Sequence, residues 1–447
     1  MAGLAPDGGL YLPERVPHVA DLLQSWRALP FRELFRAVIQ PYLGDEIGAG
    51  ELKELVGHCF DGFGHSEVTP VVKVGPLYLV ELFHGPTLAF KDVALQFLGP
   101  LFEKLLAEAG RRMTVVGATS GDTGSAAIHA LKGRTGIEVF ILFPRGRVSP
   151  IQEWQMTTVP DANVHAVAVE GSFDDAQEIV KGLFNDRAFN ERHRLGAINS
   201  INWARVLAQI VYYFYAYFRV LEGEPGMAVG DPVQVAVPTG NFGHMYAGLL
   251  ARRMGLPIRR LILATNANSI LHGFVQTGDY RRGEVIATYS PSMDIQVASN
   301  FERYLFDLAA GDSARVRGWM NELKQRGGFS VGAELHAQVQ RDFASAAVDD
   351  AATLDTIRQV EREDGYLLDP HSSVGVRAAL DHLQPGLPML SMATAHPAKF
   401  AEAIRAATGH EPPLPAAMAG LDKLPRRVEV LPARLDAVRQ HIERTLA

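Results

Sequence analysis

Apolar residues recur along this chain with two different periods. From about residue 18 to 60, Leu22, Leu23 and Trp26, then Leu34, Phe35 and Val38, fall at helical spacing, with Pro30 and Pro41 read as breaks. From about Val71 the pattern changes to short, apolar, β-branched runs separated by helical segments. Tyr78–Leu82, Thr114–Val116, Glu138–Phe143, Val164–Val169, Val233–Val237, Arg260–Ala264 and Pro388–Met392 are predicted strands. They lack clean alternation, as strands buried on both faces do. Strands alternating with helices predict an α/β fold with largely parallel sheets and right-handed crossovers. Residues 307–365 read as mostly helical, and Glu222 to Asp231 as a polar linker.

Composition narrows the class. A chain of 447 residues, 47% hydrophobic and 21% charged, has ample core for two or three domains. A net charge of −7 gives no reason to expect nucleic acid or an anionic membrane as partner. The longest apolar stretch, Val206 to Phe218, contains Gln209 and is too short to span a bilayer. Cys59 is the single cysteine, so no internal disulfide forms and a reducing, cytoplasmic setting is expected. His58, Cys59 and His65 lie close together, but no second cluster completes a zinc pattern, and no metal is expected.

The candidate chemistry centres on His84-Gly85-Pro86-Thr87-Leu88-Ala89-Phe90-Lys91-Asp92. A strand leads into this stretch and a helix leads out, which puts Lys91 at or near a helix N-terminus. Desolvation and the positive end of the helix both disfavour an ammonium there. A neutral amine is what Schiff-base chemistry requires. On this stretch alone, a surface lysine opening a helix fits equally well.

Two glycine-bearing turns follow strands. One is Ala118-Thr119-Ser120-Gly121-Asp122-Thr123-Gly124-Ser125 and the other Pro238-Thr239-Gly240-Asn241-Phe242-Gly243-His244. Such turns offer free N–H groups and a helix dipole to an anion. Neither is a P-loop or a GxGxxG fingerprint. Each alone also reads as a tight turn without a ligand. Two anion cradles with a Schiff-base lysine point to a phosphorylated aldehyde cofactor, and pyridoxal 5'-phosphate fits.

The lysine stretch resembles the lysine motif of the threonine synthase family. So do Thr119–Gly124, Pro238–Gly243, Ser290-Pro291-Ser292-Met293-Asp294-Ile295-Gln296-Val297, Ser299-Asn300-Phe301-Glu302-Arg303 and Ala393-Thr394-Ala395-His396-Pro397-Ala398-Lys399-Phe400. The likeness runs from Asp7-Gly8-Gly9-Leu10-Tyr11 to the C-terminal helices and is greatest to the longer bacterial and fungal branch.

The resemblance implies a two-domain α/β enzyme of pyridoxal-phosphate fold type II, tryptophan synthase β-like, behind a helical N-terminal domain. The implied units are 1–75, mainly helical; 76–91 with 206–447, the larger α/β domain; and 92–205, a smaller inserted one. It implies conversion of O-phospho-L-homoserine and water to L-threonine and phosphate. A phospho-lyase that releases a 2-oxo acid and ammonia is the alternative. Lys91 would hold the cofactor and shuttle protons. Gly240, Asn241, Phe242 and Gly243 would bind its phosphate, Thr394 its ring nitrogen, and Asp122 would stand on the substrate side of the cofactor, where relatives of the wider fold carry Asn next to the cofactor hydroxyl. Ser120 and Thr123 would line the substrate side. Ser200, Asn202 and Arg205 resemble a segment that binds the substrate phosphate, with the serine at a helix N-cap and the arginine about one turn in. A monomer or homodimer is expected.

Departures from the family pattern are His244, where Asn or Asp is frequent, and the lack of an upstream Tyr- and Thr-Arg-containing segment before Gly3, which implies a truncated or misassigned start. His371 matches a family segment and is expected to be a satisfied core histidine.

Overall fold

The computed structural model describes residues 4–5 and 7–447. The expectation about the segment before Gly3 falls outside them. The strands are β1 (Val71–Val74), β2 (Leu77–Glu81), β3 (Met113–Ala118), β4 (Ile137–Pro144), β5 (Val164–Glu170), β6 (Leu195–Gly196), β7 (Val233–Pro238), β8 (Ile258–Thr265), β9 (Asp279–Arg281), β10 (Gly328–Ser330), β11 (Phe343–Ala347), β12 (Met389–Ala393) and β13 (Glu429–Pro432). They form a six-stranded sheet in the order β1-β2-β12-β7-β8-β11, a five-stranded sheet β13-β5-β4-β3-β6 and a small pair, β10-β9. The five-stranded sheet is parallel throughout, and the six-stranded one is parallel except for β1 on β2.

Each predicted run falls on one of these strands, with Leu82 and Pro388 one residue outside β2 and β12, and every residue of β7 is buried. The apolar stretch Val206–Phe218 forms most of the helix Trp203–Gly223, which is apolar nearly all round because helices cover it on several sides. The helix Phe31–Leu43 packs on it, with Phe31 and Tyr215 edge-to-face at 5.2 Å. Trp26 meets Phe214 from the same N-terminal region at 5.9 Å.

Two expectations change. Pro30 precedes a helix, but Pro41 lies inside the last turn of Phe31–Leu43, so only the first is a break. The region 307–365 is mostly helical as expected, and it also holds the short strands β10 and β11. The run Phe-Ala-Ser-Ala-Ala of β11 has little intrinsic strand preference and is set by pairing with β8. Residues 206–447 do not stay with one sheet: β13 joins β5, and Val438 and Ile442 of the helix Leu435–Leu446 pack into the apolar cluster over the five-stranded sheet. β13 is a half-exposed edge strand of four residues, too short to announce itself.

Parallel order brings the chain out of β2, β3, β7 and β12 at carboxyl ends, where crevices form in open α/β sheets. The lysine stretch, both glycine turns and Thr394 follow those four strands.

Candidate active site

The turn after β2 is built around Asp92. This buried carboxylate accepts from the Thr87 N–H at 2.8 Å and the Thr87 hydroxyl at 2.7 Å. Burial pushes its pKa up to about 6. Gly85 makes the room, because a Cβ there would come within 2.4 Å of Asp92. The Phe90 N–H donates to the Thr394 carbonyl at 2.8 Å and the His396 N–H to that of Leu88 at 3.1 Å. The turns after β2 and β12 are thereby held together. Lys91 then opens the helix Lys91–Glu108 and is 8% exposed.

Lys91 Nζ lies 3.2 Å from Asp122 Oδ2. Burial drives the Lys91 amine below the usual lysine range; Asp122 opposes this, and the charges of Lys399 and Arg205 reinforce it. Asp122 opens the helix Asp122–Leu131. Its other oxygen meets Lys399 Nζ at 2.7 Å and accepts from Gln152 Nε2 at 2.9 Å. Burial alone would raise the Asp122 pKa, but Lys399 and then Lys91 outweigh it and hold the carboxyl well below the usual range. Lys399, 1% exposed, also donates to the Thr87 carbonyl at 2.7 Å. One buried lysine thus anchors both the acid and the lysine turn.

The turn after β7 faces this group. Phe242 adopts φ 63°, and among the described residues no backbone carbonyl accepts from the N–H groups of Gly240, Asn241, Phe242 and Gly243. They sit at the positive end of the helix Gly243–Arg253. Asn300 Nδ2 donates to the carbonyls of Ser200 at 3.1 Å and Asn241 at 3.0 Å. Arg303, buried, bonds the Asn300 side chain and donates to the carbonyls of Tyr11 at 3.0 Å and Ile201 at 2.7 Å. The segments around Tyr11, Ser200 and Asn300 therefore form one wall.

Arg205 stands in that wall, 3% exposed. Among the described residues it has no ion pair; Nη1 donates to the Ile198 carbonyl at 3.2 Å, and Nε has no partner. Burial lowers its pKa to about 10, which leaves it cationic at neutral pH. An uncompensated buried cation is costly, so this wall is suited to an anion.

A single cavity is lined by Lys91, Asp122, Thr123, Ser200, Arg205, Thr394 and Gly240–Gly243. Two expected residues do not line it. Ser120 is exposed. Asn202 is buried and caps the helix Trp203–Gly223, its Oδ1 accepting from the Ala204 N–H at 3.0 Å. The cap is therefore Asn202 and not Ser200, whose hydroxyl lies 3.0 Å from that of Ser299.

His371 is satisfied, and its ring also lines the cavity. Nε2 accepts from the Ser292 N–H at 3.2 Å, so Nδ1 carries the proton shared with Asp369 at 2.9 Å. His244 stacks on Phe90 at 5.1 Å with neither nitrogen partnered, and burial lowers its pKa to about 3. Lys399 and Gln152 are additions to the expected set. Lys399 lies within the Ala393–Phe400 motif without a role of its own there, and Gln152 reads from the sequence only as the glutamine of a Ser149-x-x-Gln152 capping box.

Family models match along the chain: threonine synthase N terminus over residues 1–60, pyridoxal-phosphate dependent enzyme over 64–339, and threonine synthase C-terminal over 372–442. Threonine synthase of Pseudomonas aeruginosa is 45% identical over 446 residues, spanning 99% of this chain and 94% of that protein. The chain belongs to the threonine synthase family. The Saccharomyces cerevisiae threonine synthase is 43% identical over 100% of this chain and 94% of its own. The crystal structure of pyridoxal-phosphate-bound threonine synthase from Brucella melitensis matches with a TM-score of 0.95 at 46% identity, over 99% of this chain and 95% of that one.

The chain is accordingly a fold type II, pyridoxal-phosphate-dependent carbon–oxygen lyase. Its cavity fits that cofactor by its own chemistry: a buried amine of lowered pKa, backbone N–H groups open to a phosphate and a guanidinium without a counter-ion. Among the described residues no helix is long and apolar enough to cross a membrane, and no group of three or more His, Cys, Asp or Glu could hold a metal.

Proposed function

We propose that this chain converts O-phospho-L-homoserine and water to L-threonine and phosphate, with Lys91 as the group that holds the cofactor and moves the protons. One observation carries the reading: a buried lysine of lowered pKa shares a cavity with a buried arginine that has no anion. Lysine chemistry and recognition of a phosphate dianion are thus provided side by side.

Bound pyridoxal phosphate supplies an electron sink for negative charge developing beside the amino group. Gly240 to Gly243 would hold its phosphate, and the Thr394 hydroxyl would meet its ring nitrogen. Lys91 takes the proton from Cα and then one from Cβ, and the Cγ–O bond breaks to release phosphate. Water adds its oxygen at Cβ, and protons return to Cα and Cγ. Removal of protons at adjacent carbons asks for one mobile base on one face, and a lysine tethered at a helix start meets that need. Asp122, kept ionised by Lys399, stabilises cationic forms of Lys91 between transfers.

Arg205 and Ser200 would bind the substrate phosphate, with Thr123 across the cavity. Asn202 serves by capping the helix that carries Arg205.

Incubation of the pyridoxal-phosphate-loaded protein with O-phospho-L-homoserine tests the reading. Phosphate and threonine are expected in equal amounts. Phosphate accompanied by 2-oxobutyrate and ammonia would overturn it in favour of a lyase that stops at elimination.

A further inference from the structure

The amino ends of the same strands hold a second polar cleft, of about 230 Å³, lined by Gln234, Arg259, Arg260, Gln340, Arg341 and Gln384. Its position follows from the topology. Gln234 is the second residue of β7, Arg259 and Arg260 are the second and third of β8, and Arg341 is the penultimate residue of the helix Ala333–Asp342, which precedes β11. The catalytic cavity lies at the other ends of these strands.

The register explains how two arginines come to face one place. Val233 pairs with Ile258, but Gln234 pairs with Arg260, so Arg259 is an extra residue on β8. A bulge of this kind breaks the alternation and re-aims side chains. Arg259, Arg260 and Arg341 make no ion pair among the described residues. The nearest acid in sequence, Asp342, is already paired with Arg252 at 2.5 Å.

Gln234 adds an independent observation. Its side chain is fully buried, it lines the cleft, and neither Nε2 nor Oε1 has a hydrogen-bond partner. A buried amide lacking both bonds is costly, and a ligand that both accepts and donates would complete it. Three guanidiniums call for an anion with several oxygens. A carboxylate or sulfate at neutral pH supplies acceptors only. Monohydrogen phosphate supplies acceptor oxygens and one O–H.

We propose that this cleft is a phosphate-binding site, separate from the catalytic cavity, in which the Gln234 amide both donates to and accepts from the phosphate group. It takes inorganic phosphate, or a small phosphomonoester whose hydroxyl replaces the P–O–H donor.

The test is calorimetric titration of the pyridoxal-phosphate-loaded protein with inorganic phosphate at constant ionic strength, with sulfate and glycerol phosphate in parallel. Two classes of phosphate site are expected. In an Arg260→Ser/Arg341→Ser variant the distal one should weaken by at least about tenfold, at 1.4 kcal/mol per decade, while turnover is retained. Gln234→Leu should fold with equal or higher Tm and lose the preference for phosphate over sulfate. A single class of site, or two classes unchanged in the arginine variant, overturns the proposal. Equal binding of phosphate and sulfate in the unaltered protein reduces the cleft to non-specific attraction and overturns it as well. If Gln234→Leu does not fold, the arginine variant decides alone.

Discussion

The two glycine-bearing turns look alike in sequence and are settled in opposite ways. After β3, the Gly121 and Gly124 N–H groups are taken by the Thr119 hydroxyl at 3.0 and 2.9 Å. The helix there begins with an acid, Asp122, clamped by Lys399. After β7, the N–H groups of Gly240–Gly243 stay open, and the nearby buried charge is the cation Arg205. One turn thus carries its own anion, and the other waits for one. A strand–glycine–helix pattern therefore marks a place where an anion is stabilised and does not say whether the chain or a ligand provides it. The residue that opens the helix, Asp122 in one and Gly243 in the other, makes the difference.

Removal of Arg205 should break the open side most strongly. Loss of two charge-assisted hydrogen bonds, each worth about 1.5–3 kcal/mol, should lower kcat/KM for the phosphorylated substrate on the order of 10²–10⁴-fold in Arg205→Ala. Titration with pyridoxal phosphate should be nearly unchanged. A loss of cofactor affinity with intact substrate affinity would reverse the assignment of the two phosphates.

Lys399→Met strikes the closed side. Removing one partner of a buried pair costs about 3–5 kcal/mol, to be read as a lowered denaturant midpoint. The sign on Lys91 is separate. Lys399 lowers the Lys91 pKa, so its loss should move the pH dependence of cofactor attachment to the alkaline side, with Lys399→Arg restoring part of the shift. An unmoved profile in a folded Lys399→Met variant would remove Lys399 from the site.

The glycines separate the turns directly. Gly121 has φ 135° and an added Cβ would meet Gln152 at 2.3 Å. Gly121→Ala should cost about 1–3 kcal/mol in strain alone. At Gly240 no positive φ is needed, but a Cβ would lie 2.9 Å from the Ser292 carbonyl oxygen. Gly240→Ala should therefore weaken cofactor binding more than it lowers Tm. Equal Tm losses in the two variants would erase the distinction.

The smallest expected effect belongs to His244. Its pKa falls from 6.5 when unfolded to about 3 when folded, through burial. The unfolded chain takes up the proton first, so stability is full above pH 6.5 and declines by about 1.4 kcal/mol per unit as the pH falls toward 3. His244→Asn should flatten part of that decline, as read by Tm at pH 7 and pH 5.

Much of this was readable in the sequence. The seven predicted runs became strands because each is buried on both faces and carries its own apolar signal. Lys91 opens its helix as the Gly85-Pro86 turn implied. What escaped depends on distant partners. The strand β11 is held by β8, and the cap at Asn202 emerges only because Ser200 is engaged elsewhere. Lys399 is one motif residue without a role until the fold brings it to Asp122. The unpaired state of Arg205 cannot be seen in a linear string, since it is defined by what does not approach it.

The pairing of β13 with β5 has a consequence for synthesis. The other four strands of that sheet leave the ribosome long before the last twenty or so residues do. Until then β5 presents an open edge, the kind of edge that invites pairing with other chains. A ribosome that stalls or a message that ends early yields a chain with most of its catalytic wall in place and an adhesive margin exposed. Loss of the residues of β13 should therefore show first as aggregation in the cell.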